Sequence, residues 1–192
     1  MSVLAEMLLA AVYAMLLQNL IFTGGYGTSE AIRMSAKPKQ LYAMSFFIML
    51  FSTSASVICV LLEQIGAVRK MSIIGHAVLF ITVLSAVYLI TLTVLVYSLK
   101  AKKRTIRRLG IAAFNTLVLA VPFINYRAGF SIPEAVGSGI GAGLAFALAT
   151  FLINLGLQRL QKSDLPEMFK GTPAIFIYVA ILSLGFAGIM GK

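Results

Sequence analysis

Hydrophobic residues occur in long runs that short charged segments separate. A helix rises 1.5 Å per residue, so roughly 20 apolar residues cross the hydrocarbon core of a bilayer. The fourth run along the chain, Leu109 to Ile124, is short, and we expect Asn115 and Pro122 to interrupt it, because proline lacks an N–H and has a fixed φ. The pattern predicts an all-α integral membrane protein with six transmembrane helices. The five clear runs are Val3 to Phe22, Leu41 to Leu62, Met71 to Leu99, Ala135 to Leu157 and Thr172 to Met190.

The composition supports a membrane class. Hydrophobic residues make up 60% of the chain and charged residues 11%, and the mean hydropathy is +0.97. A soluble fold cannot bury so much apolar surface. With 192 residues and short loops, the sequence predicts a single membrane domain spanning residues 1–192.

Basic residues are distributed unequally between the loops on the two sides of the predicted membrane. Loops one, three and five carry three, six and three Lys or Arg residues, twelve in total, and only four lie on the other side. Because basic loops stay in the cytoplasm, this bias predicts that both termini lie outside it. The net charge of +10 is therefore interpreted as a topology signal, and no nucleic-acid partner is expected. The four residues on the other side are Arg69, Lys70, Arg127 and Lys192.

Two predicted helices contain polar interruptions. The first run passes through Gln18 and Asn19 into a glycine-rich polar segment, residues 23–30, and the fourth contains Asn115 followed by Thr116. Broken helices in lipid are tolerated only where they pack on protein or line a wet cavity. Interruptions at corresponding positions of two halves indicate an inverted repeat with a site near the midplane. The sequence thus predicts pseudo-repeats at residues 1–99 and 100–192, with the first and fourth helices broken.

The fifth run contains four glycines spaced two residues apart. They give overlapping small-xxx-small spacings, which allow another helix to approach closely. A phosphate-binding glycine loop requires a preceding strand, which this sequence does not predict. We therefore predict helix packing at Gly137, Gly139, Gly141 and Gly143.

Candidate metal-binding and catalytic residues are scarce. Cys59 is the single cysteine and His76 the single histidine, so we expect no internal disulfide and no metal site. His76 is interpreted as an interfacial residue near the outer end of the third span. Without a nucleophile–base pair or a nucleotide loop, catalysis by the isolated chain is not predicted, and any catalysis would belong to a larger assembly.

Two blocks of the chain resemble the Rnf/Nqr membrane subunits of ion-translocating electron-transport complexes. The first block, residues 19–56, has Asn19, Gly27, Ser35 and the pair Ala55-Ser56 at recurrent positions of that family. The second block, residues 109–191, contains Leu109-Gly110-Ile111, Asn115, the element Leu165-Pro166-Glu167-Met168-Phe169-Lys170-Gly171, then Ser183-Leu184-Gly185-Phe186 and Gly188.

The resemblance implies a particular assembly. In that family, two such subunits pair in opposite orientation in the prokaryotic cytoplasmic (inner) membrane. They hold a 2Fe–2S cluster with one Cys from each subunit's first and fourth broken helices. Here the corresponding positions are Ser29 and Thr116. We therefore predict that this chain binds no cofactor itself, and that flavin and iron-sulfur clusters belong to partner subunits, including a paralogous membrane subunit.

Glu30 directly follows one of the altered positions. An ionisable residue at depth in a membrane is a functional hypothesis, so Glu30, Asn19 and Asn115 are ion-pathway candidates. The alternative is that Glu30 is a charge at a helix start near the cytoplasmic edge. Three functions remain open from the sequence: a subunit of an Rnf/Nqr-like redox complex without a cluster of its own, a stand-alone ion or small-solute transporter, and a membrane assembly scaffold.

Overall fold

The computed structural model describes residues 2–162 and 166–189. Within those ranges the chain is helical and contains no strand. Several sequence predictions fall on residues outside them: Leu165 and Gly191 of the family resemblance, Met190 at the end of the sixth predicted span, and Lys192 in the charge count.

Ten α-helices are formed by the described residues, and short π or 3₁₀ turns extend some of them. A π turn, Tyr13–Leu17, extends α1, a 3₁₀ turn, Pro38–Gln40, precedes α4, and a second π turn, Val94–Ser98, extends α6. The helices are α1 Val3–Val12, α2 Leu20–Gly24, α3 Thr28–Ser35, α4 Leu41–Glu63, α5 Gly66–Arg69, α6 Ile73–Thr93, α7 Lys103–Ala113, α8 Thr116–Ala128, α9 Ile132–Leu160 and α10 Thr172–Ile189.

Five helical stretches are long and apolar enough to cross a membrane: 38–63, 73–98, 103–128, 132–160 and 172–189. The chain is therefore a multi-pass, all-α membrane protein. A shorter apolar helix, Val3–Leu17, lies at the N-terminal end. The predicted fourth span is longer than expected, because α7 begins at Lys103 inside the basic third loop.

The two breaks differ in detail from the sequence prediction. The first apolar helix ends at Leu17 rather than Phe22, because Asn19 begins a new short helix by accepting a hydrogen bond from the Ile21 N–H. The fourth stretch is interrupted at Asn115 alone. Pro122 lies inside α8 without ending it, so the expectation that proline interrupts this span is wrong.

α9 lies at the centre of the bundle and packs on α1 and α4. An added Cβ at Gly141 would lie 2.5 Å from the carbonyl oxygen of Ala11 in α1. On the neighbouring side, a Cβ at Gly143 would lie 2.5 Å from the Met49 Cβ in α4. Gly137 likewise faces α1 and Gly139 faces α4, so the four glycines form two stripes that allow two helices to approach.

His76, near the start of α6, is fully buried within the protein. Its ring stacks on Tyr126 of α8 with centroids 4.2 Å apart. Its Nδ1 lies 3.0 Å from the Ser72 carbonyl oxygen, and its Nε2 lies 2.9 Å from Glu63 Oε1 without hydrogen-bond alignment. The packing of α6 against α8 covers the ring, and no local sequence pattern reports that contact.

Candidate functional site

The two helix breaks meet at one cavity of about 360 Å³. The loop between α2 and α3, with the start of α3, forms one wall. The break between α7 and α8 forms the other. The lining residues are Gly25, Gly27, Thr28, Ser29, Glu30, Ile111, Phe114, Asn115 and Thr116. Four sequence-predicted site residues, Ser29, Glu30, Asn115 and Thr116, are thus brought together.

Gly27 joins the two breaks. Its backbone N–H donates a hydrogen bond of 2.8 Å to Thr116 Oγ1. Its φ of +76° lies in the left-handed region that favours glycine, and an added Cβ would lie 2.8 Å from Asn115 Oδ1. Conformation and space therefore both require glycine at this point, and the hydroxyl of Thr116 has a structural role.

Asn19 and Asn115 have the same local role in the two breaks. Each is buried at the N-cap of the helix that follows and accepts a hydrogen bond from the N–H two residues later, 3.2 Å at Ile21 and 2.9 Å at Leu117. Such caps satisfy backbone donors that lipid cannot satisfy. The matching caps explain why an asparagine stands at each break.

The two asparagines differ in the hydrogen-bond acceptors of their amide nitrogens. Asn19 Nδ2 donates to the Met15 and Ala145 carbonyl oxygens, and Asn19 does not line the cavity. Asn115 Nδ2 is buried with no hydrogen-bond acceptor in the described part of the chain. Within the described residues, Asn115 therefore has a buried, unsatisfied hydrogen-bond donor, and an amide N–H group cannot serve as a ligand for a cation.

Glu30 is the acidic residue of the cavity wall and is half-buried. Its carboxylate accepts a hydrogen bond of 2.9 Å from Arg33 Nε and forms an ion pair with the same guanidinium. The two residues are one helical turn apart in α3, near the helix start, where a carboxylate is also favoured by the helix dipole. Sequence reasoning missed Arg33, although its i+3 spacing from Glu30 was a readable signal.

The side chains that line this cavity are not suitable ligands for an iron-sulfur cluster. Iron in such clusters is held by thiolates, whereas Ser29 and Thr116 offer neutral hydroxyls and Thr116 already accepts the Gly27 N–H. Cys59 is buried in α4 and is absent from the cavity wall. Among the described residues, no three His, Cys, Asp or Glu side chains gather to hold a metal ion.

A larger cavity of about 790 Å³ lies at the opposite ends of α4 and α8, where α9 begins. Glu63, Arg69 and Asn125 are among its lining residues. Asn125 Oδ1 accepts a hydrogen bond of 2.8 Å from Ser138 Oγ in the glycine-rich part of α9. Sequence reasoning did not single out Asn125, although an Asn within an apolar run was a detectable signal.

Comparison with known proteins finds relatives that are similar over nearly the full chain. No family model matches the chain. The RnfA proteins, which are subunits of the "Ion-translocating oxidoreductase complex", are similar to it in Shewanella oneidensis and Pasteurella multocida. Each is 27% identical to this chain, and each alignment covers 98% of both chains. The chain is a homologue of these RnfA proteins. This finding confirms the resemblance to Rnf/Nqr membrane subunits.

A further relative is similar over a shorter region. It is the corresponding subunit of the "Proton-translocating ferredoxin:NAD(+) oxidoreductase complex" of Clostridium ljungdahlii, and it is 36% identical over 81 residues, which is 42% of each chain. The names of these homologues include both ion translocation and oxidoreduction. Both terms describe the complexes in which those proteins reside.

Proposed function

We propose that this chain is an integral membrane subunit of an Rnf/Nqr-like ion-translocating electron-transport complex, and that it holds no iron-sulfur cluster itself. The full-length similarity to RnfA proteins carries this proposal. The cavity at the helix breaks adds support, because Ser29 and Thr116 both line it while neither supplies a thiolate. Flavin and iron-sulfur clusters then belong to partner subunits, and catalysis belongs to the assembly.

The proposed partner at this cavity is a paralogous subunit in opposite orientation. Ser29, Thr116 and Phe114 are exposed on the single chain. Thr116 and Phe114 lie at the break of the membrane-spanning stretch 103–128, and Ser29 lines the same cavity. Polar residues exposed to lipid are costly, so a second protein is the favourable cover for them.

Oxidative cross-linking tests this pairing. In native membranes, Ser29→Cys should form a disulfide with a cysteine of the paralogue and give a heterodimer on a non-reducing gel. Ser98→Cys is the matched control, because Ser98 is exposed but lies outside the cavity. Equal cross-linking of the two variants, or none for Ser29→Cys, would contradict a cysteine-bearing partner at this face.

The proposed topology has six spans, with both termini outside the cytoplasm. In it, α1, its π turn, α2 and α3 form a broken first span that corresponds to α7 and α8 in the second pseudo-repeat. The matching caps of Asn19 and Asn115 support this correspondence. In intact cells, a membrane-impermeant thiol reagent should label Ser2→Cys, whereas Ser98→Cys should react only after lysis. The reverse labelling would overturn the orientation.

Of the three ion-pathway candidates, Glu30 and Asn115 line the cavity and Asn19 does not. We therefore propose Glu30 as the ionisable residue of the pathway. Glu30→Gln should lower sodium- or proton-linked transport by the complex in sealed vesicles. Because Arg33 would lose its partner, Glu30→Gln/Arg33→Gln serves as the control for an unpaired cation. Undiminished transport in both variants would remove Glu30 from the pathway.

A further inference from the structure

Six cationic side chains line one cavity of about 450 Å³ at the end of the bundle where α3 ends and α4 and α7 begin. They come from two separate parts of the chain, the segment around α3 and the first turns of α7. The six are Arg33, Lys37, Lys103, Arg104, Arg107 and Arg108. The rule that basic loops stay in the cytoplasm explains why cations lie on this side of the membrane. It does not explain why six of them line the same cavity.

The charge in this cavity is poorly compensated. None of the described residues that line it is Asp or Glu, and among the described residues Arg33 is the one of the six cations with an ion pair, which it forms with Glu30. Arg108 Nε is buried and has no hydrogen-bond acceptor in the described ranges. A buried donor of a charged group without an acceptor is costly, so the site favours an anion that accepts hydrogen bonds.

The start of α7 also favours binding of an anion. Its N-cap, Lys102, makes no side-chain capping hydrogen bond, and no acidic residue lies in the first turn. Lys103 and Arg104 occupy that turn, where the helix dipole disfavours positive charge. An anion at this position would interact favourably with both the side chains and the helix end.

We propose that this basic cavity binds a phosphate-bearing group, the headgroup of an anionic phospholipid. Phosphate oxygens match the planar guanidinium donors of Arg104, Arg107 and Arg108. Ile111 also lines the cavity and offers partly exposed apolar surface beside the cations. That combination suits a headgroup attached to acyl chains better than a free phosphate ion, and basic pockets between membrane helices are known to take such headgroups. This cavity adjoins the one at the helix breaks, since Ile111 lines both and Arg33 pairs with Glu30, but the proposal does not depend on the partner interface.

The lipid test uses the purified full chain in a mild neutral detergent. Phosphatidylglycerol or cardiolipin should raise its thermal unfolding midpoint, and zwitterionic phosphatidylcholine should not. Arg104→Gln/Arg108→Gln should raise the half-maximal lipid concentration about 25-fold, because each Lys or Arg near an anionic surface contributes about a factor of five. Arg159→Gln/Lys162→Gln removes the same charge from exposed residues outside the cavity and should leave that concentration unchanged.

Native mass spectrometry provides a second measurement, in case the double variant is unstable. The unmodified chain and the Arg159→Gln/Lys162→Gln control should retain anionic lipid, and Arg104→Gln/Arg108→Gln should lose it. Inorganic pyrophosphate, added without lipid, distinguishes the source. If pyrophosphate stabilises the unmodified chain and lipid does not, and if Arg104→Gln/Arg108→Gln abolishes that effect, the cavity is a phosphate site for a soluble ligand.

Two results would overturn the proposal. One is equal lipid response in the two double variants, since the cavity cations would then have no special part in it. The other is loss of partner subunits from Arg104→Gln/Arg108→Gln with lipid binding unchanged, which would show that an acidic protein segment fills the cavity.

Discussion

Gly139→Ala should separate α9 from α4 and destabilise the protein. The added Cβ would lie 2.6 Å from the Thr53 backbone nitrogen and closer still to its Cα, whereas ordinary contact begins near 3.4 Å. Because these atoms belong to the backbone, no side-chain rotation relieves the overlap. The two helices must therefore separate by roughly 1 Å, and a gap of that size loses a quarter to a half of the local dispersion energy. Overpacking costs about 1–3 kcal/mol, and alanine returns about 1 kcal/mol of helix propensity. We expect a net loss of up to about 2 kcal/mol.

The assay is the free energy of unfolding in mixed micelles, measured by circular dichroism during titration with a denaturing detergent. Gly185→Ala is the matched control, because an added Cβ at Gly185 in α10 meets no atom within 4 Å. That variant should be unchanged or stabilised by up to about 1 kcal/mol. Equal stability changes for the two substitutions would refute the close approach of α9 and α4.

Three further mutational experiments test the contacts of the site and the bundle. Thr116→Val should lower the unfolding free energy by about 1 kcal/mol, because the Gly27 N–H loses its acceptor, whereas Thr116→Ser should retain the bond; equal losses would contradict that role. Gly27→Ala should cost at least about 1–2 kcal/mol in the same titration, since alanine is strained at φ +76° and its Cβ would crowd Asn115; an unchanged value would contradict the loop geometry. Ser138→Ala and Asn125→Ala should show a coupling of about 0.6 kcal/mol in a double-mutant cycle, and additive effects would contradict their hydrogen bond.

The long apolar helices were predictable because length and hydropathy are local properties of the sequence. The stretches 38–63, 73–98, 132–160 and 172–189 agree closely with the predicted runs within the described residues. The first break was placed too late, because the glycine-rich segment is a stronger sequence signal than a single Asn19. In the structure, the buried cap at Asn19 ends the apolar helix before those glycines are reached.

Long-range contacts were not predictable in the same way. The sequence indicated that α9 would pack closely, but not that Gly141 faces α1 while Gly139 faces α4. The burial of His76 could not be predicted, because no local pattern reveals that Tyr126 covers its ring. At the candidate site, the sequence singled out Ser29 and Thr116 by resemblance, yet the hydrogen bond from Gly27 to Thr116 depends on a contact between residues far apart in the chain.

Affinity purification of the tagged chain from native membranes tests membership of a redox complex most directly. Mild detergent keeps membrane assemblies together, and mass spectrometry then identifies the proteins that accompany the chain. We predict recovery with a cysteine-containing paralogue and with flavin or iron-sulfur subunits. Recovery of the chain alone, or as a homo-oligomer, would contradict membership and favour transport by a stand-alone protein.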